Sequence, residues 1–68
     1  MTILLNGEER QLAPGTTVRA LLDALAMPGG ARGVAIAVDA AVVPRGEWET
    51  TELDDGARVE VLRAIQGG

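Results

Sequence analysis

The chain contains no cysteine, and that omission narrows its folding options more than any residue it does contain. Without thiols there is no disulfide framework and no thiolate cluster to brace a small fold. At 68 residues it is long enough for one domain and too short for two, since independently folding units start at about 50 residues. One core must therefore be built from side-chain packing alone. The aliphatic supply is adequate: eight Leu, seven Val, three Ile and eleven Ala, with Trp48 as the only aromatic residue. A segment this hydrophobic does not stay disordered.

The spacing of those apolar residues, read against the turn signals, sets the order of elements. Met1 to Asn6 reads as a strand with Met1, Ile3 and Leu5 on one face. Asn6-Gly7 is a type I′ hairpin signal, because both central residues of that turn need φ > 0, and Glu8 to Ala13 returns antiparallel. Pro14-Gly15 breaks the sheet. Thr16 or Thr17 then caps a helix, since a hydroxyl there satisfies an N–H of the first turn. Val18, Leu21, Leu22 and Leu25 follow at i, i+3, i+4 and i+7, one apolar stripe that Met27-Pro28-Gly29-Gly30 ends.

Gly33 to Val38 reads as a third strand, with Val34, Ile36 and Val38 on one face and Ala35 and Ala37 on the other. Asp39-Ala40 turns it into a short fourth strand, Ala41 to Val43, which Pro44 stops for want of an N–H. Arg45 to Leu53 is irregular, with room for one helical turn. Asp54-Asp55-Gly56 supplies a last turn, where two adjacent acids are ordinary turn chemistry rather than a metal site, and Arg58 to Ile65 closes the fold as a strand. A sheet with one helix across it lets both apolar faces leave water, an α+β arrangement.

Several function classes are excluded by what the alphabet lacks. Net charge is −4 with no Lys and scattered Arg, so no basic stripe exists for a phosphate backbone, and one aromatic makes no stacking platform for bases. His, Ser, Tyr and Phe are also absent, leaving five Thr as the only side-chain nucleophiles and Asp and Glu as the only acid–base groups. That argues against a self-sufficient enzyme and against a bound cofactor. The opening Met1-Thr2-Ile3-Leu4-Leu5 has no basic n-region and reaches Asn6-Gly7 too soon for a secretory or membrane-spanning segment, so the expected location is cytoplasmic.

With the side chains so inert, the group with the best claim to reactivity is the α-carboxylate of Gly68, presented by Gln66-Gly67-Gly68. Glycine has no Cβ, so such an end threads a narrow channel and offers an unhindered carboxylate. A Gly-Gly end by itself is weak evidence, because a functionless tail ends the same way. The expected division is a domain over 1–65 and a flexible tail over 66–68.

The order of elements, the Asp55-Gly56 turn before the last strand and the terminal Gly67-Gly68 resemble the ubiquitin-like β-grasp sulfur carriers. Val43-Pro44-Arg45, followed by Glu47 and Trp48, resembles the thiamine-biosynthesis members, the ThiS family, as does Gly15-Thr16-Thr17-Val18 leading into Leu21-Leu22; the whole chain fits that family's length. Gln66 departs from the Gly or Ala of many relatives. The resemblance implies a mixed sheet of four to five strands with parallel first and last strands at its centre and one main helix packed across one face. It implies that an E1-like adenylating enzyme, using ATP with Mg, activates Gly68, that a sulfur donor such as a cysteine desulfurase supplies the sulfur of a thiocarboxylate, and that thiazole synthase receives it. The same fold and tail serve molybdopterin or cysteine biosynthesis and ubiquitin-like protein modifiers. A plain interaction domain with an inert tail is the reading from another class.

A partner must grip the body as well as the end. Strand alternation sets Leu4, Ala35, Ala37, Leu62 and Ala64 opposite the buried set, a candidate docking face beside the tail. Arg45 is a further docking candidate, or else pairs with Glu47 or Glu49 on the surface. Trp48 reads as a hydrophobic lid over one end of the core.

Overall fold

A computed structural model describes residues 1–25 and 33–63. Within them the order is β1 (Thr2–Leu5), β2 (Glu8–Gln11), α1 (Val18–Ala24), β3 (Val34–Val38), β4 (Ala41–Val42), a 3-10 turn (Arg45–Glu47) and β5 (Arg58–Arg63). The strands form one mixed sheet in the order β2-β1-β5-β3-β4. Its centre is the parallel pair β1 and β5, in register Leu4↔Arg58 and Leu5↔Val59, while the other pairings are antiparallel.

Both hairpin turns form where the sequence places them. Asn6 and Gly7 lie at φ 49° and 84°, and Asp39 and Ala40 at φ 50° and 70°. Paired left-handed residues match the twist of the flanking strands, which is why such dipeptides join them so tightly. Ala40 is the strained member, since its Cβ crowds the backbone in that region and no polar side chain compensates.

The helix has only seven residues, too few to persist alone, so its ends and its apolar stripe must be held by the rest of the fold. The Thr17 hydroxyl accepts the Ala20 N–H at 3.1 Å. The loop after the 3-10 turn satisfies two more first-turn donors: Val18 N–H bonds to Thr51 C=O and Arg19 N–H to Trp48 C=O, both at 2.9 Å. Helix α1 ends at Ala24 with Leu25 as its C-cap; the stop expected at Met27–Gly30 lies outside the described residues.

The core is the predicted stripe against the predicted strand faces. Ile3 and Leu5 of β1, Val18, Leu21 and Leu22 of α1, Ile36 of β3 and Val59 of β5 are buried, joined by Leu53 and Ala57. Fully burying one such aliphatic side chain contributes about 1.5–3 kcal/mol. Trp48 is 2% exposed and its indole Nε1–H donates to Val43 C=O at 2.9 Å, so the one large polar handle in the core is satisfied. Pro44 ends β4 as expected, although Val43 N–H still reaches Ile36 C=O at 2.9 Å.

The edges of the sheet differ in chemistry. Strand β2, Glu8-Glu9-Arg10-Gln11, is exposed throughout, and charged side chains on an edge deter pairing with other chains. Strand β4 is two residues long, with Val42 73% exposed.

Candidate functional site

Apart from Arg45, the candidate docking residues within the described chain group around β5. It is the last described strand, it lies between β1 and β3, and it leads toward the end of the chain. Its side chains alternate: Val59 is buried and Val61 half-buried against the core, while Arg58, Glu60 and Leu62 are exposed on the other face.

Its start is held on the β3 side. Asp39 N–H donates to Arg58 C=O at 2.8 Å, and the Asp39 carboxylate accepts the Arg58 N–H at 2.9 Å. It is held on the β1 side as well, from Ala57, just before the strand, to Val61. Leu4 N–H bonds to Ala57 C=O at 2.9 Å and Asn6 N–H to Val59 C=O at 2.8 Å. The Asn6 side chain then accepts the Val61 N–H at 2.9 Å and donates to the Val61 C=O at 3.3 Å. Asp55 anchors the turn leading into the strand, its carboxylate accepting the Thr2 N–H at 2.8 Å. Within the turn, Ala57 N–H bonds to the Asp54 C=O at 3.0 Å, and Gly56 takes φ 83°.

The outer face of the sheet can be read row by row from the register. Ala35 lies beside Leu62, Ala37 lies between Val42 and Glu60, and Leu4 lies between Glu9 and Arg58. Leu62 is 63% exposed and Leu4 half-buried. The face is therefore apolar toward β3 and β4 and carries Arg58 and Glu60 along its central strand. Grouping the apolar residues by alternation finds Leu4, Ala35, Ala37 and Leu62 together on this face, but not the charged Glu9, Arg58 and Glu60 among them or the exposed Val42.

Arg45 has a different setting. Its guanidinium stacks over the Trp48 indole, 4.9 Å from the ring centroid, an arrangement worth about 0.5–1 kcal/mol at an exposed site. The Val43 to Trp48 segment thereby becomes one unit: Pro44 starts the 3-10 turn, the indole closes the core, and Arg45 covers the indole. Ala64, Gln66, Gly67 and Gly68 lie outside the described residues.

Sequence reasoning missed the side-chain clasps of Asp39 and Asn6 on β5. A signal for them exists in the first position of each turn, where a polar side chain stands although glycine would satisfy the backbone. Among the described residues no helix is long and apolar enough to cross a membrane.

Comparison with known proteins places this geometry. The sequence matches the ThiS family over residues 3–68. It is 35% identical over 68 residues to the sulfur carrier protein ThiS of Escherichia coli K12, covering the whole of both chains. It is 34% identical over the same length to a thiazole synthase of Paramagnetospirillum magneticum, of which it spans only 20%. The fold superimposes on the crystal structure of the thiamine biosynthesis protein ThiS from Geobacter metallireducens with a TM-score of 0.86, at 30% identity and full coverage of both chains. The solution structure of a thiamine biosynthesis protein from the same organism gives 0.81, covering all of this chain and 88% of that one. With its ubiquitin-like β-grasp sheet, helix α1 and a family match over residues 3–68, the chain belongs to the ThiS family.

Proposed function

We propose that this sulfur carrier of thiamine biosynthesis works through the carboxylate of Gly68, with the folded body serving as the recognition handle. The carboxylate oxygen attacks the α-phosphate of ATP held with Mg by an E1-like adenylating enzyme, forming an acyl-adenylate and releasing pyrophosphate. The terminal sulfur of a persulfide carried by a donor such as a cysteine desulfurase then attacks the acyl carbon and AMP leaves; a second thiol on the partner cleaves the resulting acyl disulfide, forming a disulfide there and leaving a C-terminal thiocarboxylate. The thiocarboxylate delivers its sulfur to thiazole synthase. Each chemical step uses the partner's catalytic groups, consistent with a chain that has no His, Lys, Cys or Ser of its own. On this reading the chain is a co-substrate and not an enzyme, it binds no cofactor itself, and it acts in the cytoplasm.

The body over 1–65 and the tail over 66–68 divide the work. Gln66 and Gly67 thread the partner's channel. Leu4, Leu62 and Ala64 dock against it, with Arg45 held ready on Trp48. The observation that carries the reading is the family match running to residue 68, at the end of a chain whose central strand β5 leads toward the tail. The likeness to one fifth of a thiazole synthase supports that enzyme as the acceptor, because a carrier and its client gain effective concentration when joined.

Deleting Gly68 tests the proposal. A host lacking its own carrier should grow without thiamine when given the intact chain and fail to grow when given the shortened one. Growth with both would overturn it.

A further inference from the structure

Asn6 stands where β1 ends and β5 continues without it. Two backbone N–H groups, from Leu4 and Asn6, tie this side of β5 at Ala57 and Val59. The chain then turns away at Asn6-Gly7, both in the left-handed region, and β1 offers no further peptide group. The Asn6 carboxamide takes its place, accepting the Val61 N–H at 2.9 Å and donating to the Val61 C=O at 3.3 Å. A type I′ turn asks only for a residue that tolerates φ > 0, which Gly, Asp and Asn all do. Pairing with the donor and the acceptor of one residue asks for a short amide, which Gly and Asp lack.

We propose that Asn6 is a positioning residue for the reactive tail: it pins the outgoing strand on the side that β1 has left, so that the tail departs from the body in one direction. This rests on the carrier reading above. Gly68 lies seven positions beyond Val61, a reach of at most about 3.3–3.6 Å per position. A small swing at the base of such an arm moves its tip much further. On the opposite side β3 still pairs with β5 as far as Val34↔Arg63, so loss of the clasp lets the strand end splay without unfolding the sheet. The substitution removes no side chain of the outer docking face, and Leu62 keeps its partner Ala35 on β3. The cost therefore falls on entry of the tail into the partner's channel, a step after docking.

The test is steady-state charging of the full-length carrier by its adenylating enzyme and ATP, with Asn6→Gly, Asn6→Asp and Thr17→Ala compared with wild type. Asn6→Gly keeps the turn and removes the clasp; its kcat should fall about tenfold, in the range that misplacement of a reacting group produces, with KM within about twofold of wild type. Asn6→Asp, which keeps the acceptor and loses the donor, should also lose kcat. Thr17→Ala removes the helix cap and leaves β5 alone, and should charge like wild type. Amide exchange at Val61 should accelerate in Asn6→Gly. Wild-type kcat in Asn6→Gly, a loss confined to KM, or an equal loss in Thr17→Ala would each overturn the inference while leaving the carrier reading intact. Failure of wild type itself to be charged would overturn the carrier reading, and this inference with it.

Discussion

The two hairpin turns clasp the same strand from opposite sides, and the difference between them shows why one begins with aspartate and the other with asparagine. At Arg58, near the start of β5, the backbone N–H of Asp39 already serves the carbonyl. Its side chain needs only to accept one N–H, which a carboxylate does. At Val61 the backbone N–H of Asn6 is spent on Val59, so the side chain must both accept and donate. The local turn chemistry is shared, and the residue is chosen by what β5 lacks at each end.

The comparison can be broken from the core outward. The largest expected loss lies in the core, at Ile36, which is buried and registers with Val61, the residue that Asn6 clasps. Ile36→Ala should cost about 2–5 kcal/mol in denaturant unfolding, the usual range for an aliphatic side chain cut back inside a core. A loss as small as that of a turn variant would mean that the clasps, and not the core, hold β5 in place.

A smaller and sharper effect comes from exchanging the two turn residues' chemistry. Asn6→Asp removes a donor and sets an oxygen against the Val61 carbonyl, which should lower stability by about 1 kcal/mol. Asp39→Asn keeps an accepting oxygen for the Arg58 N–H and should stay within about 0.5 kcal/mol of wild type. Urea titrations of the two variants side by side check this; equal losses would refute the division of labour.

The smallest effect should have the opposite sign. Ala40 holds φ 70° in a turn where glycine is at ease, so Ala40→Gly should raise stability, by at most about 1 kcal/mol, the strain relieved being partly offset by glycine's greater freedom when unfolded. A lowered thermal midpoint would show that the Ala40 methyl makes a contact worth more than its strain.

Much of this was legible in the sequence, for local reasons. Asn6-Gly7 and Asp39 announce turns through residues that accept left-handed backbone, and the stripe Val18, Leu21, Leu22 fixes the buried face of α1 through helical periodicity alone. The parallel pairing of β1 with β5 was not legible from the residues themselves. It joins segments more than 50 positions apart in the chain and entered only through family resemblance. The clasps depend on that pairing, so they were hidden for the same reason. The charges on the outer face were concealed differently. Alternation assigns Arg58 and Glu60 to the same side as Leu62, but only strand order sets them beside Leu4 and Ala37. The stacking of Arg45 on Trp48 was missed because charge complementarity with Glu47 or Glu49 was the more obvious expectation for an arginine among acids. The proposed reactive end, Gly67-Gly68, was inferred from its chemistry and lies outside the described residues.

The central claim is that a terminal glycine carboxylate is the working group of an otherwise unreactive body. Intact-mass spectrometry of the carrier after incubation with adenylating enzyme, ATP and a sulfur source addresses it most directly. The account predicts a single product in which one oxygen of the Gly68 carboxylate has been replaced by sulfur, and none when ATP is omitted. An unchanged mass under conditions where the enzyme consumes ATP on this carrier, or sulfur gained at a position other than Gly68, would contradict it.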